Sequence, residues 1–158
     1  MDTLEYFIKS SEKELNFLLT DFGFESEVKN TAYEYSIIFK KEKIELRFLT
    51  ELGNISVPHM EFKISKTIFN LKRLSNQDNL EKIIEKNYNR THPIMEKEVK
   101  EYLRENKHNY SESEKDFNKN GMNDIDEFLK EVAEILKNNE QILKGYMFPF
   151  IKARFNWK

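Results

Sequence analysis

Tyr33-Glu34-Tyr35-Ser36-Ile37-Ile38-Phe39, then Lys40-Lys41-Glu42-Lys43, then Ile44-Glu45-Leu46-Arg47-Phe48, is the stretch that decides the fold. Tyr33, Tyr35, Ile37 and Phe39 alternate with Glu34, Ser36 and Lys40. Ile44, Leu46 and Phe48 then resume the alternation against Lys43, Glu45 and Arg47. A period of two places each set on its own face of a strand. Two such runs across a short polar turn read as an antiparallel hairpin with one apolar face to bury.

Outward from the hairpin, Phe24–Asn30 reads as a weaker strand before it, and Gly53-Asn54 as a turn after it, leading into Ile55–Ser65. In that last run Ile55 and Val57 fall on one parity, while Met60, Phe62 and Ile64 fall on the other, with Pro58-His59 between. A one-residue slip flips the buried face, so a bulge near Pro58 is the simplest repair. Proline also lacks a ladder donor, which favours a sheet edge there. The whole reads as an antiparallel meander of about four strands. Its polar face predicts helices packed on the other face.

Helical periodicity flanks the meander on both sides. Over residues 3–20, Leu4, Phe7, Ile8, Ser11, Leu15, Leu18 and Leu19 share one face, with Thr3 as N-cap and Gly23 as terminator. Thr67–Leu74 fits either a short helix or an extended connection. Asp78 is placed to cap a helix carrying Leu80, Ile83 and Ile84, and Thr91-His92-Pro93 to start another carrying Met95, Val99, Tyr102 and Leu103. Residues 106–122 are polar and end in glycine, which predicts a loop. Residues 124–144 carry the strongest helical stripe: Ile125, Phe128, Leu129, Val132, Leu136 and Leu143, ended by Gly145. A last short aromatic helix is expected over Met147–Trp157. The expected architecture is one α+β domain over 1–158: an N-terminal helix, the meander, and a C-terminal helical half on one face of the sheet.

Composition narrows the function. A hydrophobic fraction of only 39% is polar for a globular chain, but 13 Phe and 7 Tyr each bring a large apolar area, so a packed core is expected. The formal net charge of −2 lacks the basic balance of a nucleic-acid binder, so no nucleic-acid partner is expected. With no cysteine, disulfides, thiol nucleophiles and Cys-based zinc sites are excluded. The opening MDTLEYFIKSSEKEL has no basic segment followed by an apolar one, so no secretory signal is expected. No apolar run approaches the roughly 20 residues that cross a bilayer. A cytoplasmic chain without membrane contact is the expectation.

The sharpest local pattern is Asp116-Phe-Asn118-Lys-Asn120-Gly121-Met122-Asn-Asp124-Ile-Asp-Glu127. It follows the twelve-residue EF-hand calcium loop, with oxygen ligands at Asp116, Asn118, Asn120 and Glu127, Met122 and Asp124 in the remaining ligand positions, and glycine at the sharp turn. Against it stand Asn123 where an apolar residue belongs, an entering segment Asn106–Lys115 without an apolar face, and the lack of a second loop. The favoured reading is a polar loop ended by Gly121, with Asn123 or Asp124 capping the next helix. Calcium binding is thus the alternative, and no other cofactor is indicated.

Other chemistry is not written in the chain. His59, His92 and His108 are isolated from one another, and no G-x-S-x-G elbow or phosphate loop occurs. Glutamates such as Glu81, Glu85, Glu96, Glu98 and Glu101 read as solvated partners of lysines. The closing Lys144–Lys158 mixes aromatics with cations and reads as a docked helix, with Trp157 as an anchor for a protein partner. Binding without catalysis is therefore expected, with Pro58 and His59 at the sheet edge, Tyr110 and Phe117 in the polar loop, and Trp157 as contacts.

Three stretches carry a family resemblance: Leu18-Leu-Thr-Asp-Phe-Gly-Phe24, the strands Tyr33–Phe39 and Ile44–Phe48, and Phe128-Leu-Lys-Glu-Val-Ala-Glu-Ile-Leu136 followed by Ile142-Leu-Lys-Gly145. The chain resembles, outside about residues 66–122, the small α+β proteins of bacterial polymorphic-toxin loci, many thought to be immunity proteins. The resemblance implies stoichiometric binding of a protein partner such as a cognate toxin, and no catalytic residues.

Overall fold

The computed structural model describes residues 3–31, 34–51, 57–69, 71, 74, 78–91 and 110–146. The hairpin forms as its alternation dictates. Strand β2 (Glu34–Lys41) pairs antiparallel with β3 (Ile44–Glu51), with Ile37 opposite Phe48 and Phe39 opposite Leu46. The turn is shorter than the polar segment suggests, because Lys40 and Lys41 stay in the strand. Glu42 takes it at a φ of 49°.

Strand β1 (Glu25–Asn30) precedes the hairpin, and β4 (His59–Ile64) and β5 (Thr67–Phe69) follow it. All five strands join one antiparallel sheet in the order β1-β2-β3-β4-β5. Among the described residues the expected meander thus has five strands. Thr67–Phe69, the start of the Thr67–Leu74 run that fits either a short helix or an extended connection, is the fifth.

From His59 onward β4 is regular, while the residues before Val57 that the expected bulge involves lie outside the described residues. Strand β4 begins at His59, so Met60, Phe62 and Ile64 keep one parity against Phe48, Leu46 and Ile44 with no extra residue. Pro58 is buried just before the strand. Nor is β4 an outer strand, since β5 pairs with its second half, Phe62–Ile64. Gly53, Asn54 and Ile55 lie outside the described residues, as do the helices expected over 93–103 and 147–157.

The helices cover one face. The N-terminal stripe forms α1 (Thr3–Glu14) and α2 (Asn16–Thr20), broken at Leu15, and Gly23 reverses the chain at a φ of 69°. Phe7, Ser11, Leu15 and Leu18 are buried, as their shared face requires. Helix α3 (Asp78–Thr91) has Asp78, expected as its cap, as its first residue. Helix α4 runs from Tyr110 to Asn138, and α5 (Glu140–Leu143) follows after a break at Asn139. Gly145, at a φ of 88°, closes α5 in a Schellman arrangement: the Tyr146 amide donates to the Gln141 carbonyl at 3.0 Å and the Gly145 amide to Ile142 at 2.9 Å.

The 106–122 loop is the largest correction, because α4 occupies its described part, residues 110–122. Extending a helix already anchored by Ile125–Leu136 fixes one residue per added hydrogen bond, whereas nucleation is the costly step. The polar turns of 110–122 join at little cost, Gly121 contributing a penalty of about 1 kcal/mol. Among the described residues no helix is long and apolar enough to cross a membrane.

The core lies between sheet and helices. Phe48 stands edge-on to Phe39 (6.3 Å between centroids) within the sheet and to Phe128 of α4 (6.4 Å) across the layer. Leu46, Phe62, Leu80, Leu129, Val132 and Leu136 close around them, all buried. The opposite face of the sheet is laced by ion pairs, including Lys63–Glu61 at 2.8 Å, Lys40–Glu27 at 3.2 Å and Arg47–Glu45 at 3.3 Å. Lys63 and Lys40 hold the Glu61 and Glu27 carboxyls below the usual carboxylate range. Ile38 departs from this charged pattern and is fully buried on that face. Phe48→Ala removes the ring that touches both layers. It is expected to cost about 3–5 kcal/mol in urea unfolding, whereas an alanine at exposed Lys130 changes stability by less than about 0.5 kcal/mol.

Candidate functional site

Two helix faces build a concavity among the described residues. On α3, Asn79, Lys82, Ile83 and Lys86 recur at helical spacing. On α4, Glu127, Lys130, Glu131 and Glu134 do the same. Leu80 of α3 and Phe128, Leu129 and Val132 of α4 turn into the core, so the charged residues beside them are left along the seam between the helices. The result is an open groove of about 370 Å³.

The walls of this groove differ in sign. α3 contributes Lys82 and Lys86, and α4 contributes Glu127, Glu131 and Glu134 with one cation, Lys130. Lys86 bridges the seam: its Nζ lies 3.2 Å from Oδ1 of Asp124 and 3.6 Å from Oε2 of Glu127. Asp124 is fully buried, and Asn87 beside Lys86 is nearly so. A buried carboxylate needs such compensation, because its desolvation costs several kcal/mol. Burial, reinforced by the neighbouring Glu134 charge, raises the Glu131 carboxyl above its ordinary value. Chemically, the groove can take up cations against Glu131 and Glu134 and anions against Lys82 and Lys130. Its described lining holds no hydroxyl, thiol or imidazole.

A second polar cluster lies between α4 and α1. The Tyr6 hydroxyl donates to Oδ2 of Asp126 at 2.6 Å, and the Ser10 hydroxyl to Oδ1 at 2.8 Å. Burial and then the hydrogen bond to Asp126 raise the Tyr6 phenol. Each oxygen of the carboxylate accepts from one hydroxyl of α1, which makes it a clamp between helices.

The residues singled out in the sequence are scattered. His59 is exposed at the start of β4, 4.0 Å from Glu61, while its neighbour Pro58 is buried. Tyr110 opens α4 and Phe117 lies within it, far from the sheet edge in sequence; Trp157 falls outside the described residues. The groove residues Lys82, Lys86, Lys130, Glu131 and Glu134 were not among them. Their signal was present as charges at i, i+3, i+4 and i+7 next to an apolar stripe, but the same spacing marks any solvated helix face.

The calcium pattern fails on geometry. Asp116, Asn118, Asn120, Met122, Asp124 and Glu127 all lie in α4. At 1.5 Å per residue the Cα atoms of Asp116 and Glu127 are roughly 16 Å apart along the axis, while calcium ligands must converge to about 2.4 Å from one ion. The helix does bring Asp124 and Glu127 together, on the Lys86 ammonium rather than on a cation site. Among the described residues no three His, Asp or Glu side chains are grouped to hold a metal.

Comparison with protein-family models, with curated proteins and with solved structures finds no match for this chain.

Two measurements check this geometry. Titration calorimetry with calcium is expected to show no saturable heat at millimolar concentration, with Glu127→Gln indistinguishable from the parent. For Glu131, a folded-state pKa above the unfolded one favours folding at low pH, and that contribution is lost as pH rises through the folded value. Glu131→Gln is therefore expected to be as stable as the parent or slightly more stable at pH 7, by at most about 0.5 kcal/mol for so accessible a site. The advantage disappears below the ordinary carboxylate range, as thermal unfolding at the two pH values would record.

Proposed function

We propose that the chain is a non-catalytic cytoplasmic protein-binding protein of the immunity kind, which occludes a toxin partner by holding it stoichiometrically. The observation that supports this reading is the two-signed groove between α3 and α4. Lys86 is engaged with Asp124 and Glu127, whereas Glu131 and Glu134 have no cation within 4 Å among the described residues. Unmatched charges on a rigid helix pair favour a partner of complementary pattern and steer its approach. A partner presenting a lysine or arginine over Glu131 and Glu134, and a carboxylate over Lys82 and Lys130, pairs all four. Exposed His59 at the start of β4 offers a further contact on the sheet side.

The test is recovery of the native complex from the source organism, followed by its mass and its salt dependence. A one-to-one complex with a second protein is expected. Its association is expected to slow as salt is raised, and Glu131→Lys with Glu134→Lys is expected to weaken it at least about tenfold. Recovery of the chain alone, or a complex indifferent to those two charges, overturns the reading.

A further inference from the structure

Strand β1 ends the sheet, paired on one side with β2, and all six of its residues are exposed. The backbone shows which groups that edge offers. At the mouth of the β1–β2 hairpin the Thr31 amide donates to the Glu34 carbonyl at 2.9 Å. Hydrogen-bonded and non-bonded pairs alternate along an antiparallel ladder, so Lys29, Glu27 and Glu25 turn their backbone toward β2. Ser26, Val28 and Asn30 therefore turn their amides and carbonyls outward. Among side chains, Glu27 and Lys29 share the charged face of the sheet. Val28, opposite Ile37, stands on the apolar face and is 48% exposed.

We infer that this edge pairs with β1 of a second copy of the chain, antiparallel about a two-fold axis through Val28, to give one continuous sheet. In that register Val28 faces the partner's Val28, Glu27 faces the partner's Lys29, and Ser26 faces the partner's Asn30. The outward amides and carbonyls of Ser26, Val28 and Asn30 then meet as hydrogen-bonded pairs, each exchanging two bonds. Among the registers that pair most of the strand, the charge sequence favours this one. Side chains opposite one another across a continuous sheet share a face, so the axis moves only in steps that slide the strands by two residues. An axis through Glu27 sets glutamate against glutamate, and one through Lys29 sets lysine against lysine. Like charges directly opposite are destabilising. The axis at Val28 instead extends the existing Lys40–Glu27 ion pair of 3.2 Å into a row of Lys40, Glu27 and the partner's Lys29. Lys29, now 3.5 Å from Glu27 of its own strand, exchanges that contact for the one across the join.

A short strand edge buries little area beside the interfaces of stable dimers, so the association depends on concentration and does not rest on the toxin reading. Sedimentation equilibrium of the full chain over a wide concentration range is expected to show mass rising toward twice that of one chain. Val28→Pro deletes the outward donor at the axis and leaves the β1–β2 bonds, to which Val28 does not contribute. It is expected to stay monomeric with an unchanged far-ultraviolet circular dichroism spectrum. Glu27→Lys and Lys29→Glu are each expected to weaken self-association about tenfold. An equimolar mixture of these two variants is expected to recover it, since every charged pair across the mixed join again opposes lysine and glutamate. A chain that remains monomeric throughout, whether or not another protein's strand occupies the edge, overturns the inference. So does a dimer that survives Val28→Pro, or a mixture that fails to recover association.

Discussion

The contact on which the structure depends is the edge-to-face meeting of Phe48 with Phe39 on one side and Phe128 on the other. Phe48 belongs to β3 and Phe128 to the longest helix among the described residues, so this one ring joins the two layers. Aromatic pairs of this geometry add about 0.5–1.5 kcal/mol beyond the area they bury. More importantly, they fix direction. The hairpin register puts Phe48 and Phe39 on one face, and α4 must present Phe128 to that face and not another. Once that rotation of α4 is set, the positions of its charged residues follow.

The same ring explains why the sheet was legible in the sequence. Tyr35, Ile37, Phe39, Ile44, Leu46 and Phe48 alternate without error and share one face of the ladder; burial follows the alternation in β3, whereas in β2 Ser36 to Phe39 are all buried. Met60, Phe62 and Ile64 also read correctly once β4 begins at His59. Val57 and Pro58 stand before that strand, and Ile55, the other residue of the opposite parity, lies outside the described residues. Strand β5 was hidden because three residues cannot display a period, and its existence depends on the Ile64–Thr67 pairing across the turn at Ser65. Ile38 was hidden for the opposite reason. It occupies a position that the alternation assigns to polar residues, and its burial on the charged face is a tertiary fact with no local signal.

Helix α4 was misread where local composition and long-range anchoring disagree. Asn118, Asn120, Gly121 and Asn123 are poor helix residues, and a window confined to them reads as a loop. The apolar stripe that begins at Ile125 lies outside that window and wins, because a docked helix extends more readily than a new one starts. The calcium motif was a product of the same narrow window. Its residues have the right chemistry at the right sequence spacing, and a regular helix disperses them along an axis. The groove charges were illegible for a further reason. Glu131 and Glu134 differ from any other glutamates on a helix face only through α3, and nothing local to 127–134 says which helix lies alongside.

Three consecutive faces of α4 now have distinct tasks. Asp126 faces α1 and accepts from Tyr6 and Ser10; Asp124 and Glu127 face α3 and hold Lys86; Phe128 faces the sheet. These residues lie within five positions, little more than one helical turn, and diverge because each step rotates by about 100°. A rotation of α4 that improved any one contact would spoil the other two. These contacts fix α4 against three neighbours, and of them the Lys86–Glu127 pair lies in the groove itself. A helix held from three sides keeps Glu131 and Glu134 where they stand, with no cation within 4 Å among the described residues.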